Sequence, residues 1–395
     1  MRRFNSAPDY LTRESPADPV ICHRPHAAAA AARWFTSHFP GSVLYAVKAN
    51  PSPVILDALY GAGIRRFDVT SLAEAELASR YADARLYYMN PVKHPAHIRT
   101  AYHEHGVREF ALDTRDELEK ILEATGHARD LGLHVRLAVD NARSRLPLED
   151  KFGVATEDSA ELLVATRVAA ERLGVCFHVG SQAMDPRSYA RAIERANHAI
   201  GKAGVILDTL DVGGGFPAAY PDLATPPLEE YLRIITDAWE ESLTSETCEL
   251  LCEPGRALVA ESASLLVNVV LRKGRTLYIN DGAYGSLFDA AHCGFDYPVR
   301  ALRSGRERAG EERLQFSLYG PTCDSIDHMP GPFLLPADTR AGDYIEIGQL
   351  GAYGQTMRSS FNGFDRIVEV IVADEPLLSL FSGQELPAVD ARPLA

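Results

Sequence analysis

The sequence predicts an α/β fold: a (β/α)8 TIM-like barrel followed by a mostly antiparallel β-barrel or sandwich domain. Three observations predict it. Up to about Gly255, eight short β-branched or aromatic runs alternate with longer amphipathic segments. Eight βα units in a row imply a parallel sheet covered by helices, and eight is the number that closes a barrel of roughly 250 residues. Beyond Gly255 the helical segments drop out, and strands separated by turns remain.

The eight runs are SVLYAVKA from Ser42, RRFDVTS from Arg65, RLYYMNP from Arg85, REFALD from Arg108, HVRLAV from His134, VCFHVGS from Val175, TLDVGGG from Thr209 and ELLCEPG from Glu249. The segments between them read as helices. PSPVILDALYGAG opens on Pro and closes on Gly, the usual punctuation of a helix. SLAEAELASRYAD carries Ser71 as N-cap with Glu74 three residues on, a capping box. DTRDELEKILEATG starts at an Asp-Thr pair and stops at Gly126. SAELLVATRVAAERLG and PRSYARAIERANHAIGKAG are alanine-rich and amphipathic, and the Ala27–Ala32 run predicts a further helix before the first strand. The barrel is therefore expected over residues 24–262. LLVNVVLRKGRTLYIND, LQFSLYGPT, DYIEIGQLGAY and RIVEVIVAD predict the strands of a β domain over 263–395. Residues 1–23 are expected to join it, because chain termini tend to lie close together.

Composition narrows the function. The chain has 395 residues, with 40 Lys plus Arg against 54 Asp plus Glu, a formal net charge of −14. That balance lacks the basic footprint of a nucleic-acid binder. The N-terminus has no apolar h-region, and no apolar run is long enough to span a membrane. The expectation is a cytoplasmic protein with neither a membrane nor a nucleic-acid partner. Cys22, Cys176, Cys248, Cys252, Cys293 and Cys323 show no paired CxxC spacing, so no metal site is expected and most read as buried free thiols.

Barrel active sites lie at the C-terminal ends of the strands. Reading off the polar residue there gives Lys48, Asp68, Asn90, Asp113, Arg136, His178, the Gly213–Gly215 run and Glu253. A functional group at every strand end is hard to explain by packing alone, and such a ring converges on one pocket. Lys48 in YAVKAN reads either as a reactive amine kept nucleophilic by partial desolvation or as a lysine snorkelling at the barrel rim. The glycines of DVGGGFP let backbone N–H groups approach a phosphate, or simply form a tight turn. In EPGR, Arg256 can clamp phosphate and Glu253 can accept from a protonated ring nitrogen; a surface ion pair is the plain alternative. His178 can stack on a planar cofactor with Ser181 donating to its phosphate, or it is a core histidine. GPTCDSID brings Cys323 and Asp324 together, QLGAY ends on Tyr353, and NDGAYGS reads as a turn containing Tyr284.

Taken together, YAVKANPSP, FDVTS, FHVGS, LDVGGGFP, CEPGRALVAES, NDGAYGS, YGPTCDSID and GAY…FNGF resemble the pyridoxal-phosphate (PLP) decarboxylases of the alanine-racemase-like fold, and most closely the ornithine decarboxylases. The likeness runs from about residue 42 to 366. It implies a PLP-dependent amino-acid decarboxylase of polyamine biosynthesis, working as a homodimer with shared active sites. Lys48 would carry PLP, Glu253 would hold the pyridine nitrogen, and His178 would stack on the ring. Asp68 and Arg136 would lie beside the cofactor. Ser181, Gly214, Gly215, Gly255, Arg256 and Tyr353 would hold the phosphate. Cys323 and Asp324 would enter from the partner subunit, Cys323 as proton donor to Cα and Asp324 as the contact for the distal ammonium, with Tyr284 and Asp296 as further substrate contacts. The segment LFDAAHCGFDYPVR departs from the eukaryotic pattern, so Asp289 or Asp296, or neither, takes the place of a second distal-amine carboxylate.

The resemblance leaves several activities to weigh. A racemase of this fold places an arginine at the ring nitrogen, whereas this chain has Glu253. A non-catalytic homologue of the antizyme-inhibitor kind loses cofactor residues, whereas Lys48, Glu253, Arg256 and Cys323 are all present. Diaminopimelate decarboxylases typically carry Cys-Glu-Ser where this chain reads Cys323-Asp324-Ser325. The expected reaction is L-ornithine to putrescine and CO2, with lysine, giving cadaverine, as the alternative or second substrate.

Overall fold

The computed structural model describes residues 1–140, 144–147, 151–242, 244–303 and 309–381. All eight predicted barrel strands form: Ser42–Ala46, Arg66–Val69, Arg85–Tyr88, Glu109–Leu112, Gly132–Arg136, Arg172–Cys176, Thr209–Asp211 and Glu249–Cys252. They pair in chain order, each parallel to the next, and Glu249–Cys252 closes the ring onto Ser42–Ala46. Inside the ring, Leu44, Tyr87, Met89, Ala111, Cys176 and Leu251 pack against one another. The opposite strand faces, with Phe67, Phe110 and Leu133 among them, bury against the surrounding helices. This two-sided burial explains the nearly continuous apolar runs.

The helices start where the caps predict. Ser71 accepts from the Glu74 N–H at 3.3 Å, and the Glu74 carboxylate reaches back to the N–H of Thr70, one residue before the cap, at 2.7 Å. Thr114 caps Arg115–Ala124 through the Glu117 N–H. The alanine run lies in Pro25–His38. One boundary differs. The sequence reading extends a helix through Arg172-Leu173-Gly174, yet that helix ends at Ala169 and those three residues open the sixth strand. The reason is tertiary. Arg172 pairs in register with Gly132, and the bare Cα of Gly174 sits against His134 and Thr209, where a Cβ would overlap both.

Beyond the barrel, Ala263–Lys273 forms the spine of a nine-stranded sheet. It pairs antiparallel with Thr276–Ile279, Tyr344–Ile347 and the N-terminal strand Val20–His23. Val368–Val372 runs parallel to Val20–His23, and Arg2–Phe4 runs parallel to Val368–Val372. Strands Val299–Leu302 and His328–Pro336 also belong to this sheet and carry no clear alternation in the sequence. Arg24, buried at the start of the first barrel-covering helix, donates to Ser264, Glu346 and Asp374, each at 2.8 Å, and so ties the barrel to the sheet.

Candidate active site

Lys48 stands on a short 3-10 turn, Val47–Ala49, just past the end of the first strand rather than within it. The turn swings its amine toward the next strand, whose Asp68 pairs in register with Ala46. Lys48 Nζ donates to Asp68 Oδ2 at 2.6 Å, and Asp68 is buried. Burial alone would push the Lys48 amine down, but Asp68 and Glu253 outweigh it and hold the ammonium above its ordinary value. The cavity therefore keeps this lysine charged.

Two connected lobes open around Lys48, of about 400 and 460 Å3. They share Lys48, Pro147, His178 and Glu253. The first lobe adds Asp68, Thr70, Asn90, Arg136, Lys151 and Phe152. The second adds Ser181, Gly214, Gly215, Gly255, Arg256, Asp289 and Tyr353. Of the strand-end residues, Asp113 lines neither lobe and instead accepts the Gly153 N–H at 2.8 Å.

His178 is half-buried and uncharged: desolvation first, then Arg136 and Lys48, drive its pKa far below the usual histidine range. Its Nδ1 accepts the Gly180 N–H at 3.0 Å, so the remaining ring proton sits on Nε2. A neutral, oriented imidazole of this kind is suited to lie against a planar ring. Glu253 is buried, and its carboxyl is pushed well above the usual range by burial, Asp211 and Asp68. Asp211 is raised to about 6 by the same burial and accepts the Gly213 N–H at 2.8 Å. One oxygen of each of Glu253, Asp211 and Asp68 is buried with no hydrogen-bond partner. Asp68 and Glu253 line the cavity, and unsatisfied buried oxygens at such a wall call for a donor from outside the chain.

The glycines serve the second lobe. A Cβ on Gly214 would lie 2.7 Å from the Glu253 carbonyl oxygen and 3.1 Å from His178 Nε2. Gly215 has a φ of +102° that other residues rarely adopt. Arg256 is buried at the far wall, donating to the Tyr220 hydroxyl at 2.8 Å and to Asp289 at 3.0 Å, with its guanidinium over the Tyr353 ring. Tyr220 and Asp289 are the contacts that reading strand ends does not find.

PLP fits these residues. Its ring N–H would supply the donor that the unpartnered Glu253 oxygen lacks, the glycine cradle and Arg256 would hold its phosphate, and Lys48 would hold its aldehyde. A family model for the pyridoxal-dependent decarboxylase pyridoxal-binding domain matches residues 26–260. The chain belongs to this family. Among its relatives, the lysine/ornithine decarboxylase of Selenomonas ruminantium is 31% identical over 356 residues, covering 86% of each chain. The ornithine decarboxylase of Schizosaccharomyces pombe is 32% identical over 374 residues, covering 88% of this chain and 81% of the relative. The structure of the Vibrio vulnificus lysine/ornithine decarboxylase with putrescine superposes with a TM-score of 0.79 at 28% identity, covering 93% and 99% of the two chains. The protein is a PLP-dependent decarboxylase.

Four predicted residues, Cys323, Asp324, Tyr284 and Asp296, stand apart from the Lys48 cavity of their own chain. Cys323 and Asp324 lie on the exposed loop between strands Arg313–Tyr319 and His328–Pro336. Asp324 accepts the Tyr284 hydroxyl at 2.7 Å, and this bond, with the Ile326 N–H, holds its pKa below the usual range. The Cys323 thiol donates to Asn362 at 3.4 Å. Neither these two residues nor Tyr284 lines either lobe. Asp296 also lies outside both lobes, its N–H donated to Asp222, whereas Asp289 faces the second lobe. Of the two aspartates considered, it is Asp289 that shares the cavity.

Proposed function

We propose that this protein decarboxylates L-ornithine to putrescine and CO2. The observation that carries the reading is the Asp324 carboxylate, kept ionised by Tyr284 next to Cys323, as a ready partner for a distal ammonium. The named relatives support the substrate class, since they are ornithine and lysine/ornithine decarboxylases. Lysine is the second reading, because the Vibrio vulnificus relative is described with both putrescine and cadaverine. An arginine decarboxylase from a Chlorella virus also shares the fold, at 25% identity and a TM-score of 0.80.

Bound PLP supplies an electron sink for the pair left when the Cα–carboxylate bond breaks. The chain's residues do the rest. Lys48 holds the cofactor, Glu253 keeps the ring nitrogen protonated, and His178 supports the ring face. Ser181, Gly214, Gly215, Gly255, Arg256 and Tyr353 hold the phosphate, and Asp68 and Arg136 border the reacting end. Cys323 returns a proton to Cα, and Asp324 with Tyr284 receives the distal ammonium. The last three act from a second subunit, so a homodimer is part of the reading, with the barrel at 24–262 and the β domain at 263–395 plus 1–23. A product screen over L-ornithine, L-lysine, L-arginine and meso-diaminopimelate tests it. Putrescine from ornithine, at a kcat/KM above the others, is expected. Turnover of diaminopimelate alone would overturn the assignment.

A further inference from the structure

Arg256 already has a carboxylate. Its guanidinium is buried, its side chain 4% exposed, and it spends one arm on the Tyr220 hydroxyl and the other on Asp289 Oδ2 at 3.0 Å. Its Nε is buried with no partner. Asp289 comes from the short helix Phe288–His292 of the segment beyond the barrel, faces the same lobe as Gly214, Gly215 and Ser181, and is itself 12% exposed. A buried guanidinium without a counter-charge is costly, so the pair stabilises this wall of the lobe. The same carboxylate repels any anion that approaches Arg256, and does so strongly where little water intervenes.

We propose that Asp289 competes with the cofactor's phosphate for Arg256, and so sets how tightly the phosphorylated cofactor is held. The inference rests on reading Arg256 as a phosphate-holding residue. A phosphate in this lobe either displaces Asp289 from the guanidinium or sits beside its negative charge. Pyridoxal, which has the ring and aldehyde but no phosphate, leaves the Arg256–Asp289 pair intact.

The test compares PLP and pyridoxal binding, read from the visible absorbance of the lysine-bound cofactor, in the wild-type chain, Asp289→Asn and Asp289→Ala. Both variants should bind PLP about tenfold more tightly, the equivalent of one unit of charge-shifted pKa. Their pyridoxal affinity should stay at the wild-type value, which also shows that the fold is intact. PLP affinity that is unchanged or weaker, or a parallel shift for both ligands, would overturn the competition. Arg256→Gln separates this from the underlying reading, because it should cut the preference for PLP over pyridoxal about tenfold or more. If that preference is undiminished in Arg256→Gln, the assignment of Arg256 to the phosphate falls, and the role of Asp289 with it.

Discussion

Glu253 is the residue on which the proposed chemistry turns. Burial, with Asp211 and Asp68 beside it, biases its carboxyl toward the neutral form. A cationic ring N–H reverses that preference by giving the carboxylate a counter-charge. Glu253→Gln keeps the shape and removes the charge, so PLP should still bind while kcat falls by about 10²–10³, the scale of losing one preorganised electrostatic contact. Steady-state kinetics on holoenzyme of matched cofactor content checks this. Lys48 poses the converse problem, since the amine proposed to hold the cofactor is kept protonated chiefly by Asp68. Its deprotonated fraction rises with pH through neutrality, so loading of PLP should accelerate with pH. Asp68→Asn removes the nearest stabilising charge and should speed loading at neutral pH by about tenfold, one pKa unit. Stopped-flow absorbance reads both effects, and a slower variant would show that Asp68 helps the attack more than it hinders it.

At the scale of elements, the strands carry polar residues at both ends of the barrel. Away from Lys48, Glu109 receives Arg85 at 2.6 Å, Arg172, and His134 Nε2 at 2.9 Å. His134 is buried on the fifth strand, and burial is the main force lowering its pKa to about 4. The Glu109 carboxylate that faces Nε2 is shared with two arginines, Arg85 and Arg172. The unfolded chain therefore takes up a proton here that the folded chain refuses. Stability contributed by this site is intact above about pH 6.5 and is lost as the pH falls toward 4. The full loss is about 3 kcal/mol. Unfolding at several pH values should show a shallower acid slope in His134→Gln than in the wild type over that window. The strands themselves were legible in the sequence because apolar runs and turn signals are local. The ring of strand-end residues around the cavity, Asp113 excepted, was legible because a polar residue ending an apolar run has no packing motive. The start of the sixth strand was not, since the extended state of Arg172–Gly174 is imposed by Gly132 and His134 across the sheet. The Arg256 contacts to Tyr220 and Asp289 join residues 36 and 33 positions apart, and no periodicity announces them.

At the scale of the molecule, a single chain divides its candidate chemistry between two places. Lys48, Glu253 and Arg256 surround the barrel cavity, while Cys323, Asp324 and Tyr284 sit together on an exposed face of the β domain. That face is also apolar: Ile326, Phe361 and Phe364 are exposed, the Phe361 ring packs on Tyr284, and a groove of about 670 Å3 lined by Leu271, Tyr278, Tyr319, Pro321 and Phe364 opens beside the loop. Contiguous apolar surface around a charged functional loop is a feature of interfaces. A two-fold dimer in which each face covers the other barrel's cavity would complete two equal sites at once. Mixing then provides a sharp test. Lys48→Ala and Cys323→Ala homodimers should each be impaired, the first for want of bound cofactor and the second in clean product formation. After dissociation and reassembly of an equal mixture, half of the dimers are mixed, and each mixed dimer carries one fully wild-type site and one doubly substituted site. Activity should recover to about a quarter of the wild-type value. If Cys323 and Lys48 served the same chain's site, every site would retain one substitution and mixing would restore nothing.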